Sequence, residues 1–118
     1  MVKVIIAGGR NFENYILLKL KCNAILKEVK DEIQIVSGGA KGADALGERY
    51  AKERGFICKR FEADWDKNGK AAGAIRNSEM AKYADCLIAF WDGKSAGTKD
   101  MITKAEKFNL NIRIIKYA

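Results

Sequence analysis

Apolar residues along this chain come in short, nearly unbroken runs separated by longer amphipathic stretches, and the two patterns alternate from end to end. Val2 to Ala7 is rich in β-branched residues and is closed by Gly8-Gly9. Ile33 to Val36, Phe56 to Phe61, Cys86 to Phe90 and Asn111 to Lys116 have the same look, which predicts five strands. Between them, Tyr15, Leu18, Cys22, Ile25, Leu26 and Val29 share one face of a first helix, and Ala43, Leu46, Tyr50 and Ala51 share one face of a second. A third helix is predicted over roughly Ala71 to Tyr83 and a fourth over roughly Thr98 to Phe108.

Strands that alternate with helices pair in parallel through right-handed crossovers. The expected fold is therefore α/β: a Rossmann-like three-layer α/β/α sandwich on a parallel sheet of about five strands, in the order 3-2-1-4-5. Near-continuous apolar strands suit a sheet covered on both faces. At 118 residues and 48% hydrophobic, the chain has apolar content for one core, so residues 1–118 are expected to form a single domain. In such sheets ligands bind outside the carboxyl ends of the strands where the order reverses, here between the first and fourth strands.

The glycines sharpen this picture. Gly8, Gly9, Gly38, Gly39, Gly42, Gly69, Gly93 and Gly97, eight of the eleven, fall after predicted strands, on one edge of the sheet. The opposite edge carries Lys30-Asp31-Glu32, Ala84-Asp85 and Asn109, with only Gly55 among them. Glycine-rich turns leading into helices offer backbone N–H groups and a positive dipole end, which suits an anionic, phosphate-bearing ligand.

Each segment on that edge has two readings. After the first strand, Arg10 could reach a phosphate and Phe12 could stack on a base or plug the helix beneath it; a plain tight turn explains both equally well. Ser37-Gly38-Gly39-Ala40-Lys41-Gly42-Ala43-Asp44 is the stronger signal, an anion nest just before a helix. Asp44 either complements the helix dipole or bonds a ribose hydroxyl. Neither segment has the spacing of a dinucleotide fingerprint or a Walker A loop. Trp65 could stack on a base or cover the end of the core, and Arg76, with Asn77, sits within the third helix. The loop Trp91-Asp92-Gly93-Lys94-Ser95-Ala96-Gly97-Thr98 lies at the proposed switch point. It is the best single candidate for a ligand cradle, with Ser95 or Thr98 capping the last helix or bonding phosphate.

The net charge of +7 favours acidic partners without separating nucleotides from nucleic acid. Cys22, Cys58 and Cys86 are widely spaced in apolar surroundings, as reduced thiols used as small hydrophobes are. With no histidine and no CxxC pair, no metal site is expected, nor is a cofactor beyond a nucleotide-like ligand. The amino terminus lacks the pattern of a signal peptide and no apolar run could span a bilayer, so the expectation is a soluble cytoplasmic protein without membrane contact.

Four runs, IIAGGRNF, IVSGGAKGADALGERYA, FEADWDKNGKAAGAIRN and AFWDGKSAGTKDMI, together resemble the SLOG superfamily and within it the small YspA-like members. The resemblance implies a Rossmann-like fold with a pocket for nucleotides or nucleotide-derived ligands, built by the glycine-rich loops and Arg76. Two related groups imply different activities. The LOG-type phosphoribohydrolases cut N-glycosidic bonds with an RK pair and a PGGxGTxxE loop. Arg76-Asn77 resembles that pair with its lysine lost, and residues 92–101 resemble a lengthened loop with Met101 where the catalytic glutamate stands. Asp100 precedes it by one residue, about 100° around a helix. The DNA-processing DprA group shares the SGGAxGxD-like segment and binds single strands.

The leading expectation is a sensor or sequestering module for a nucleotide or nucleotide derivative. An N-glycosidase using Arg76 and Asp100, with Asp44 or Asp64 as other candidate carboxylates, comes second. Weak binding of single-stranded nucleic acid comes third, and homo-oligomer formation is left open.

Overall fold

The computed structural model describes residues 1–117. Five strands, β1 (Val2–Gly8), β2 (Ile33–Ser37), β3 (Ile57–Arg60), β4 (Cys86–Trp91) and β5 (Asn111–Lys116), form one sheet in the order β3-β2-β1-β4-β5. All four pairings are parallel, with Val4 beside both Ile35 and Cys86 and Gly8 beside Phe90. The helices are α1 (Tyr15–Leu26), α2 (Ala43–Arg54), a single turn α3 (Trp65–Asn68) running into a 3-10 turn over Gly69–Ala71, α4 (Ala72–Tyr83) and α5 (Ala96–Lys107). This is the Rossmann-like sandwich expected from the alternating pattern. No helix among the described residues is long and apolar enough to cross a membrane.

Successive strand residues face opposite ways, so each central strand feeds two buried layers. Val4, Ile6, Ile35, Ile88 and Phe90 meet Leu18, Cys22 and Tyr50 on one side. Ile5, Val36, Leu87 and Ala89 meet Met80, Ala81, Met101 and Ile102 on the other. Helix ends are set by local chemistry. Asn14, Asp64 and Ser95 accept backbone N–H bonds at the starts of α1, α3 and α5, and left-handed Gly55 ends α2.

Several expectations need correction. The edge strands are not covered on both faces: every residue of β3 is exposed, and Ile57 retains 61% of its surface. Cys58 is accordingly exposed rather than packed among apolar groups. α1 stops at Leu26, leaving Val29 to pack from the following turn. The α3 turn is too short for periodicity to reveal.

The glycines at the sheet edge mostly answer to the chain's own packing. A Cβ on Gly8 would strike the Phe90 carbonyl and Ala43, and one on Gly42, at φ +76°, would strike the Gly9 carbonyl and the Arg10 backbone. Within α2, Gly47 lets the helix settle on Ile6, whose Cγ2 would lie 2.8 Å from an added Cβ. Gly97 has open space around it. Gly42→Ala is expected to destabilise the fold by at least about 2 kcal/mol in urea titrations, through clash and backbone strain together. Gly97→Ala, inside a helix, should be neutral or stabilising by up to about 1 kcal/mol in the same measurement.

Candidate functional site

The loops after β1 and β4 part where the strand order reverses, and a cleft of about 710 Å³ opens between them. Gly8, Gly9, Arg10 and Asp44 line one wall; Arg76 and Asn77 from α4 and Lys94 to Thr98 and Asp100 from the start of α5 line the other. Past Arg10, Trp65 and Arg76 it continues into a second lobe of about 570 Å³ along Gly38, Gly39, Lys41 and Glu62.

Arg76 is held in place rather than left to wander in solvent. Its Nη1 donates to the Gly38 carbonyl at 2.6 Å and its Nε to Asn77 Oδ1 at 3.1 Å. Two bonds fix the plane of the guanidinium while its other N–H groups stay available. Asn77, buried, donates from Nδ2 to Asp100 Oδ2 at 3.0 Å and to the Gly97 carbonyl at 3.4 Å, and Lys104 donates to Asp100 Oδ1 at 2.8 Å. One amide thereby ties Arg76 to the first turn of α5. Asp100 reaches the cleft, but both its oxygens are committed. Met101 is buried in the core.

Asp44 sits beneath the loop after β2, with 6% of its surface exposed, and accepts the Ala40 N–H at 3.2 Å. Burial pushes its carboxyl up to about 6; the Ala40 bond and the Arg76 charge pull the other way and do not cancel it. It therefore braces the loop from below as well as complementing the start of α2. An added Cβ on Gly38 would meet Asp44 Oδ2 at 2.8 Å and Arg76 Nη1 at 3.0 Å, so this glycine leaves room for both.

The loop before α5 is pre-shaped. Asp92 Oδ1 accepts the N–H groups of Lys94 and Ser95, both at 2.8 Å, and these bonds hold its carboxyl below the ordinary value. Ser95 Oγ caps Thr98 N at 3.5 Å and lies 3.2 Å from the Thr98 hydroxyl. The Ala96 and Gly97 N–H groups, at the positive end of α5, remain open on the cleft.

Other expected site residues lie elsewhere. Ser37 is fully buried and donates to Glu48 at 2.6 Å, a carboxylate also gripped by Arg60, so its hydroxyl serves the scaffold. Gly42 is locked against the first loop, Gly93 turns beside Lys116, and Gly69, also at positive φ, ends α3 in open space. Phe12 is buried, stacked on Phe90 with ring centroids 5.0 Å apart. Trp91 spends its indole N–H on the Ser95 carbonyl at 3.1 Å, whereas Trp65 is 52% exposed at the junction of the lobes. Sequence reasoning missed Lys70, Asn11 and Met80 on the cleft wall; nothing in their spacing singles them out.

Residues 2–68 match the family described as YspA, cpYpsA-related SLOG. The chain belongs to this SLOG family. The Gene 61 protein of Mycobacterium phage D29 is 38% identical over an alignment 84 residues long that covers 66% of this chain and 67% of that protein. Among solved structures, DNA processing protein A (DprA) of Streptococcus pneumoniae aligns over 100% of this chain with a TM-score of 0.78 and 18% identity. The SLOG chain spans about half of that DprA chain, 51% of its length, and at this identity the likeness shows the fold alone.

Because folded Asp44 holds its proton more tightly than the unfolded chain does, its contribution to stability is complete below pH 4 and is lost as pH rises through about 6. Carboxyl carbon NMR titration is expected to place Asp44 near 6. Asp44→Asn should remove this falling component from denaturation measured between pH 4 and 7.

Proposed function

We propose that this SLOG-family protein binds a nucleotide or nucleotide-derived, phosphate-bearing ligand in the cleft between the β1 and β4 loops. The observation that carries this reading is the pairing of two guanidiniums, Arg10 and Arg76, with the open N-terminus of α5 in one cleft. Neither arginine forms an ion pair with a carboxylate among the described residues, in contrast to Arg60, which is tied to Glu48 and Glu62. Two guanidiniums outside any ion pair, set beside helix N–H groups in one cleft, favour an anion that joins them, even though Asp44 attracts both from beneath the loop. Family membership and the position of the cleft at the strand-order reversal support the same reading.

Asp44 favours a second reading, cleavage of an N-glycosidic bond. A cleft-wall carboxyl that titrates near 6 suits proton transfer to a departing base. Asp100, committed to Asn77 and Lys104, suits positioning better than acid catalysis.

A nucleotide panel followed by thermal and chemical denaturation tests the first reading. A true ligand at a hundredfold excess over its dissociation constant should add about 2.7 kcal/mol of stability. Arg76→Ala should weaken binding roughly 10- to 100-fold, the loss of a charge-assisted contact. A panel that leaves the denaturation curve unmoved removes this reading. Chromatography of AMP incubations tests the second: free adenine should form with the native chain and not with Asp44→Asn, and base release indifferent to that change would place any hydrolysis elsewhere.

A further inference from the structure

Among the described residues the two most exposed large hydrophobic side chains, Ile16 at 81% and Leu20 at 63%, stand one turn apart on α1. Single apolar residues at a surface are ordinary, but these two belong to a row. Leu18 and Cys22 fill the core side of α1, and at about 100° per residue Leu20 points almost directly away from them. Ile16 and Leu20 pack into neither core layer, and exposed Ala24 continues their row by one more turn. The row also has charged ends. Exposed Glu13 precedes the Asn14 cap, and exposed Lys27 follows the last helical residue with the helical φ −53° and ψ −38°. Neither forms an ion pair with another described residue.

We propose that this face of α1 is the contact of a two-fold symmetric dimer, covered by α1 of a second copy of the chain. Positions 13, 16, 20, 24 and 27 are spaced symmetrically about Leu20. A second α1 laid antiparallel over the first therefore sets Leu20 on its own copy, Ile16 on Ala24 and Glu13 on Lys27. A two-fold contact requires such a self-complementary surface. The charged ends select the antiparallel arrangement, because in a parallel one Glu13 would meet Glu13 and Lys27 would meet Lys27. Lys19 and Lys21 lie about 100° to either side of Leu20, so their charges stay at the rim. The row is short, so the dimer is weak and dissociates on dilution. None of its residues lines either lobe of the cleft, and association is independent of what the cleft binds.

Sedimentation equilibrium of the full chain over a range of concentrations at physiological salt tests the proposal and is expected to show monomer and dimer in exchange. Leu20→Glu, which changes both sides of the contact at once, should weaken association at least about 100-fold. Because Leu20 is exposed, melting curves should confirm that this variant folds. Glu13→Lys should weaken association about tenfold, and adding Lys27→Glu should restore it. Glu106→Lys makes the same charge change at an exposed position of α5 and should leave association within about twofold, which separates the pairing from the effect of net charge. A chain that stays monomeric at every concentration overturns the proposal. A dimer indifferent to Leu20→Glu places the contact on another surface and overturns it as well. Failure of Lys27→Glu to rescue Glu13→Lys overturns the antiparallel arrangement.

Discussion

The carbonyl oxygen of Gly9 is the point on which the site depends. It accepts the N–H of Phe12 and the N–H of Ala43, each at 3.2 Å, and so joins the turn after β1 to the start of α2. That double bond pattern requires backbones to run closer than a side chain would allow, which is why Gly8 and Gly42 flank it. The Gly9 N–H in turn donates to the Phe90 carbonyl at 3.1 Å, bringing β4 into the same junction. Three units of the fold are fixed to one another here, and Arg10 projects from the middle of them. The arginine is exposed, but the backbone that carries it is among the most constrained in the molecule.

Alternating runs of apolar residues were enough to place strands, helices and sheet order, because a parallel sheet with two covered faces leaves a strong imprint on its central strands. The imprint fades at the edges. β3 leaves Ile57 mostly exposed and reads as a strand only from its β-branched and aromatic residues. The one-sided glycines lie on the rim where the cleft opens, though for a mixed reason: Gly38 leaves room for Asp44 and Arg76, whereas Gly8 and Gly42 serve chain packing. Polar side chains were the harder case. A serine within a nest looks like a ligand donor, and nothing in a linear sequence says that Glu48 and Arg60 claim Ser37 from other elements. Arg76 entered through the resemblance and not through its own pattern. Alone on a helix it resembles solvated surface, and the crossing of α4 over the Gly38 loop is what holds it at the cleft.

Asn77 gives physical content to the departure from the arginine–lysine pattern. A lysine there would bring a further charge into a buried place beside Arg76, whereas the amide bonds Arg76 on one side and Asp100 and Gly97 on the other. The result couples the guanidinium to the α5 N-terminus without adding charge. Since the Asp92 and Ser95 bonds already shape the adjacent loop, an occupant of the cleft would have little ordering left to impose and would pay a smaller entropic cost.

Met80 and Met101 line the cleft and also belong to the layer between the sheet and α4 and α5. The floor of the site is thus the roof of the core. In evolutionary terms, bringing a carboxylate to position 101 takes more than one codon here. A glutamate at position 101 would have to be buried among Ile5, Leu87 and Met80, and a lineage taking that route would need further changes in the packing before the acid could be carried.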